Sequence, residues 1–82
     1  MVEGHKEFQG VHYWLSASSD GREGWYGEAN IRIREGDDYN HQILKMPEQR
    51  RTDSEAMTAA EEYLKALCLS GAMRALIPKA FD

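Results

Sequence analysis

Between Trp25 and Arg34 the chain alternates with a strict period of two: Trp25, Gly27, Ala29, Ile31 and Ile33 fall on one side, and Tyr26, Glu28, Asn30, Arg32 and Arg34 on the other. Only an extended strand separates residues that way, because successive strand side chains point to opposite faces, whereas a helix would scatter the two sets around its circumference. One apolar side and one polar side define a strand with one buried and one wet face. That is the signature of an antiparallel sheet covered on a single side. The rest of the fold has to supply its partners and its cover.

Two neighbouring segments fit as partners. Val11, Tyr13, Leu15 and Ala17 alternate with His12, Trp14 and Ser16, which predicts a first strand over Val11 to Ala17. Ser18-Ser19-Asp20-Gly21-Arg22-Glu23 then offers an Asp-Gly pair, tolerant of the positive φ that tight hairpins need. After a second reversal at Glu35-Gly36-Asp37-Asp38, residues Tyr39 to Met46 form a third, weaker strand. Its register is open: Tyr39, His41 and Ile43 share one face, and Leu44 and Met46 share the other. Pro47 is expected to end that strand.

Thr52-Asp53-Ser54-Glu55 is a capping box, in which the threonine hydroxyl and the glutamate carboxylate take up otherwise unpaired backbone N–H groups at a helix start. Beyond it Ala56, Ala60, Tyr63, Leu64 and Leu67 lie along one stripe, suited to packing on the sheet, while Glu55, Thr58, Glu61, Glu62 and Lys65 cover the opposite side. After Cys68 the pattern rotates: Leu69, Met73 and Leu76 fall about 180° from the stripe at 100° per residue. Either Ser70-Gly71 ends the helix and a second short helix follows, or one helix continues and presents Leu69, Met73 and Leu76 as a second apolar face. The second alternative makes these three residues an oligomer face. Pro78 stops helix growth in both cases.

The expected architecture is thus α+β: a three-stranded antiparallel meander followed by a C-terminal helix packed on one face. At 82 residues the chain forms one domain, with residues 1–7 expected as a flexible tail and residues 79–82 as a frayed end. Cys68 is the only cysteine, so neither an internal disulfide nor a cysteine-based zinc site can be completed, and a reducing, cytoplasmic setting is expected. No run of about 18 apolar residues occurs, so no membrane span is expected. Ten Lys and Arg against fourteen Asp and Glu give a formal charge of −4, which disfavours phosphate backbones unless a local basic patch forms.

Sites of chemistry are hard to find. His5, His12 and His41 show no helical ligand spacing and stand beside no nucleophile pattern, although a cross-strand pairing of two of them fits the meander. The glycines make neither a dinucleotide-binding nor a P-loop spacing, and the serines make no nucleophile elbow. No catalytic residue, metal or cofactor is expected. The remaining candidate is the outer face of the sheet, where Trp14 and Tyr26 are expected with His12, Arg32 and Arg34, a set able to anchor a protein partner or to stack on bases.

Gly10-Val11-His12-Tyr13, Gly24-Trp25-Tyr26-Gly27 and Ser54-Glu55-Ala56, in strand-strand-strand-helix order, give the chain a look that resembles small uncharacterised bacterial βββα proteins. The order over Phe8 to Leu67 is also similar to the N-terminal half of HicB-type antitoxins and to double-stranded-RNA-binding domains without their first helix. The latter usually carry lysines at the start of the last helix, where this chain has Asp53, Glu55, Glu61 and Glu62. The expectation is therefore a non-enzymatic protein-interaction module or homodimer, with nucleic-acid binding through the open sheet face as the alternative.

Overall fold

The computed structural model describes residues 4–19, 21 and 24–81. In chain order its elements are β1 (Lys6–Phe8), β2 (Val11–Ser18), β3 (Trp25–Glu35), β4 (Asp38–Arg50), α1 (Asp53–Ser70), α2 (Ala72–Leu76) and a 3₁₀ helix over Pro78–Phe81. The strands form one antiparallel sheet in the order β1-β2-β3-β4, with α1 across one face. The fold is α+β as expected, with four strands instead of three.

The additional strand comes from the segment expected to be a tail. Lys6, Glu7 and Phe8 pair with Tyr13, His12 and Val11, and the reversal between them is the two-residue turn Gln9-Gly10. Both turn residues have positive φ, 51° and 85°, which is the type I′ hairpin geometry whose twist matches that of the strands. Three residues are too few to show an alternation, so this strand left no periodic trace in the sequence.

The alternating faces of β2 and β3 form as expected. Val11, Tyr13, Ala29, Ile31 and Ile33 are buried on the α1 side. The register of β4 is now fixed: Leu44 stands opposite Ala29, so Leu44 and Met46 turn towards the core while Tyr39, His41 and Ile43 face outward. Pro47 does not end the strand. Between the pairs Tyr26–Gln49 and Glu28–Lys45, Gly27 of β3 stands against Met46, Pro47 and Glu48 of β4. Pro47 thus falls in an interrupted part of the ladder, on an edge strand, where its missing N–H leaves no bond unmade.

Helix α1 begins where its capping box is expected, with the threonine half of the box formed: the Glu55 N–H donates to Thr52 Oγ1 at 3.1 Å. It presses Ala56, Ala60, Leu64 and Cys68 onto the sheet. The approach is closest at Gly27, where an added Cβ would fall on the Ala56 carbonyl and stand 3.2 Å from the Ala60 Cβ. Small residues on both surfaces bring helix and sheet together there. At its other end α1 stops at Gly71, which is left-handed at φ 83° and donates its N–H to the Cys68 carbonyl at 3.2 Å.

That break decides between the two alternatives for the C-terminal apolar set. Leu69 stays on α1 and is exposed, but the redirected α2 carries Met73 inward to full burial, with Ile77 and Ala80 packed beside it. Met73 is therefore a core residue and not part of an outer face with Leu69 and Leu76. Residues 79–81, expected to fray, belong to the 3₁₀ helix and bury Ala80. Residues 1–3 of the expected tail, the hairpin residues Asp20, Arg22 and Glu23, and Asp82 of the expected frayed end lie outside the described residues.

Candidate functional site

The outer face of the sheet has no helix over it among the described residues, and it carries most of the residues expected there. Trp14 lies opposite Asn30, and Arg32 opposite His41. Asn30 is buried although it points away from the helix layer, because its Nδ2 donates to the Trp14 carbonyl at 3.2 Å and to Ser16 Oγ at 2.9 Å. Ser16 and Ser18 in turn donate to the two carboxylate oxygens of Glu28, at 3.0 and 3.4 Å. This part of the face is a satisfied polar seam between β2 and β3.

Its aromatic rings are already partnered. Trp14 tilts against His41 with centroids 5.3 Å apart, the Arg32 guanidinium lies 4.6 Å over the Tyr39 ring, and Lys45 Nζ lies 5.0 Å over Tyr26. A base stacking on the occupied faces of these rings would have to displace the side chains that already cover them. Nor do the expected residues form one patch. Tyr26 is six residues along β3 from Arg32, about 20 Å at the strand rise, and Arg34 Nε donates to the Gly36 carbonyl in the turn at 3.1 Å. His12 sits at the β1 side, where its Nδ1 is 2.9 Å from His5 Nε2.

At the other margin is a surface that the open register of the third strand had hidden. β4 is 13 residues long and forms the edge of the sheet, with β3 on one side and no strand on the other among the described residues. Edge strands commonly carry devices that discourage pairing, such as charges, prolines and bulges. Here the bulge and Pro47 lie in the second half, and over Tyr39 to Met46 the only cationic side chains are His41 when protonated and Lys45. Tyr39 and Ile43 are 58% and 49% exposed on the outer side of this stretch.

On the inner side, between β4 and α1, lies a cleft of about 580 Å³. Leu44, Lys45, Met46, Pro47, Glu48 and Arg50 form its strand wall, and Ala59, Glu62 and Tyr63 its helix wall, a mixed lining of apolar and charged side chains. Tyr63, expected on the buried stripe of α1, is 47% exposed at this cleft. Strand edge and cleft therefore adjoin. An edge offers backbone donors and acceptors at strand spacing, and a cleft beside it can receive a side chain from a strand placed there.

The strongest electrostatic coupling lies elsewhere and is structural. The Tyr13 hydroxyl donates to Glu61 Oε2, and Lys6 Nζ pairs with the same oxygen at 3.0 Å. The hydrogen bond from Tyr13 holds the Glu61 carboxyl below the usual range, with help from Lys6 and against the opposing effect of burial. Burial, with the carboxylate beside it, pushes the Tyr13 phenol well above its ordinary value. Cys68 is buried and its thiol is likewise raised by burial, which makes it a packing residue of low reactivity.

Among the described residues no helix is long and apolar enough to cross a membrane. Comparison with protein families, with curated proteins and with solved structures finds no match to this chain.

Proposed function

We propose that the protein is a non-enzymatic interaction module that accepts an extended segment of a partner polypeptide as an added strand along β4, with an apolar side chain of that segment seated in the cleft against α1. The observation that carries this reading is the adjacency of a 13-residue edge strand to a cleft where Leu44, Met46, Pro47, Ala59 and Tyr63 stand beside the charged Lys45, Glu48, Arg50 and Glu62. Backbone pairing supplies affinity in such an arrangement, and alternate side chains supply selectivity. The occupant is an extended peptide because the surface is a strand edge, whose outward-pointing donors and acceptors repeat at strand spacing. The same edge can pair with a second copy, which would give a homodimer with a continuous sheet. The exposed Leu69 and Leu76 lie on α1 and α2, and the reading does not use them.

The test is selection of peptides from a displayed random library, followed by affinity measurement on the protein and on two variants, Tyr63→Ala and Ala59→Glu, whose folding is checked by circular dichroism. Selected peptides with an apolar residue at alternate positions, weakened at least about tenfold by either variant, support the reading. Peptides indifferent to both variants would overturn it. So would salt-sensitive binding of single-stranded RNA that is lost in Trp14→Ala, which would move the function to the outer sheet face.

A further inference from the structure

His5 and His12 stand together at the opposite margin of the sheet. His12 is on β2, opposite Glu7 of β1, and His5 immediately precedes β1, so both imidazoles lie on the outer face of the Gln9-Gly10 hairpin. His5 Nε2 and His12 Nδ1 are 2.9 Å apart, with ring centroids at 5.1 Å and planes inclined by 70°. On the far side of the His12 ring, Nε2 is 4.0 Å from Glu7 Oε1.

We propose that this pair is a binding site for a divalent transition metal of the Cu²⁺ type, held by His5 Nε2 and His12 Nδ1. Two imidazole nitrogens at about 2.0–2.1 Å from one metal ion are about 2.9 Å apart when they subtend a right angle, and about 3.3 Å apart when tetrahedral. The observed 2.9 Å is a hydrogen-bond distance that equals the right-angle span of cis ligands in a square-planar or tetragonal site, the geometry that Cu²⁺ and Ni²⁺ adopt with nitrogen and oxygen ligands, so the two rings reach it by turning their facing nitrogens towards a common point off the line between them. Cu²⁺ heads the affinity series for such a pair.

The surroundings suit the ligand role. Glu7 Oε1, 4.0 Å from His12 Nε2, is beyond hydrogen-bond distance and contributes a negative charge beside the pair. In the metal-free protein one of the two facing nitrogens carries the proton that they share. Metal binding requires that proton to move to the other nitrogen of the same ring or to leave, so that both facing nitrogens present lone pairs. Among the described residues no group of three or more His, Cys, Asp or Glu side chains could hold a metal. The site is therefore a two-nitrogen chelate completed by water, open to solvent on the outer face.

The proposal is tested by calorimetric titration of the untagged full chain with Cu²⁺, with the visible absorption band of nitrogen-ligated copper as a second readout. One ion per chain is expected, weakened at least about tenfold in His5→Ala and in His12→Ala and unchanged in His41→Ala, with a smaller loss in Glu7→Gln. The type I′ hairpin should remain in each variant, which amide chemical shifts of Lys6–Phe8 verify. An affinity unchanged in His5→Ala or in His12→Ala, an equal loss in His41→Ala, or no saturable binding would overturn it.

Discussion

Tyr13 of β2 donates its hydroxyl to the Glu61 carboxylate of α1 at 2.7 Å, and this bond joins the sheet to the helix. Lys6 of β1 closes on the same oxygen, so three elements meet at one carboxylate. Because the Glu61 carboxyl is lowered in the folded state, it contributes stability above the ordinary glutamate value of about 4.3, and that contribution is lost as pH falls through the folded value. The raised Tyr13 phenol works with the opposite sign: its contribution is complete below its ordinary value of about 10 and is lost as pH rises through the folded value. Tyr13→Phe should therefore lower stability by about 1–2 kcal/mol at pH 7, a charged hydrogen bond discounted for partial exposure. Urea unfolding at pH 7 and pH 3 checks this, with the difference from the parent protein shrinking at pH 3.

Gly27 admits α1 to the sheet by lacking a side chain. Gly27→Ala places a methyl group on the Ala56 carbonyl and forces the helix outward, which should cost at least about 1–3 kcal/mol. Gly10→Ala meets open space, so its cost is confined to backbone strain at φ 85°, about 1–2 kcal/mol. The two variants separate in the core: Gly27→Ala should perturb the amide shifts of Ala56 and Ala60, and Gly10→Ala should leave them in place.

Met73 and Leu69 have similar side-chain size and contrasting surroundings. Met73→Ala should destabilise the protein by about 2–5 kcal/mol, because Met73 is fully buried. Leu69→Ala, at 69% exposure, should stay within about 0.5 kcal/mol of the parent. Thermal unfolding of the pair decides whether α2 packs inward as described.

The parts of this fold that were legible in the sequence are those with enough residues to repeat. β2 and β3 declare their faces by alternation over Val11 to Ile33, and α1 declares its start through Thr52 and Glu55. β1 is too short to alternate, and its turn residue Gln9 is not a residue type associated with positive φ, so only Gly10 hinted at the hairpin. The face of β4 could not be read because Ile43 and Leu44 are adjacent and both apolar; the helix above decides between them. The same ambiguity concealed the cleft, since Leu44 and Met46 line it only in the register that the fold selects. Gly71 was visible as a potential stop, but whether Met73 turned inward depended on the direction of α2. The outer-face residues were assigned to the correct side, while their pairing into Trp14–His41 and Arg32–Tyr39 needed β4 in place.

The strain at Gln9 offers a gain in stability. Asn adopts the left-handed region more readily than Gln, and Gln9→Asn keeps a polar side chain at an exposed turn. It should raise stability by about 0.5 kcal/mol, read as a higher urea midpoint at unchanged slope. A lower midpoint would mean that the hairpin does not hold the type I′ geometry.

The central claim is that a partner segment pairs with the edge of β4. Amide hydrogen exchange with and without a saturating selected peptide tests it most directly, because an added strand must take up the backbone N–H groups that point away from β3. The account predicts that alternate amides between Tyr39 and Met46 become protected, together with shifts at Ala59 and Tyr63. Protection confined to β2 and β3, or binding without any change in β4 amides, would contradict it.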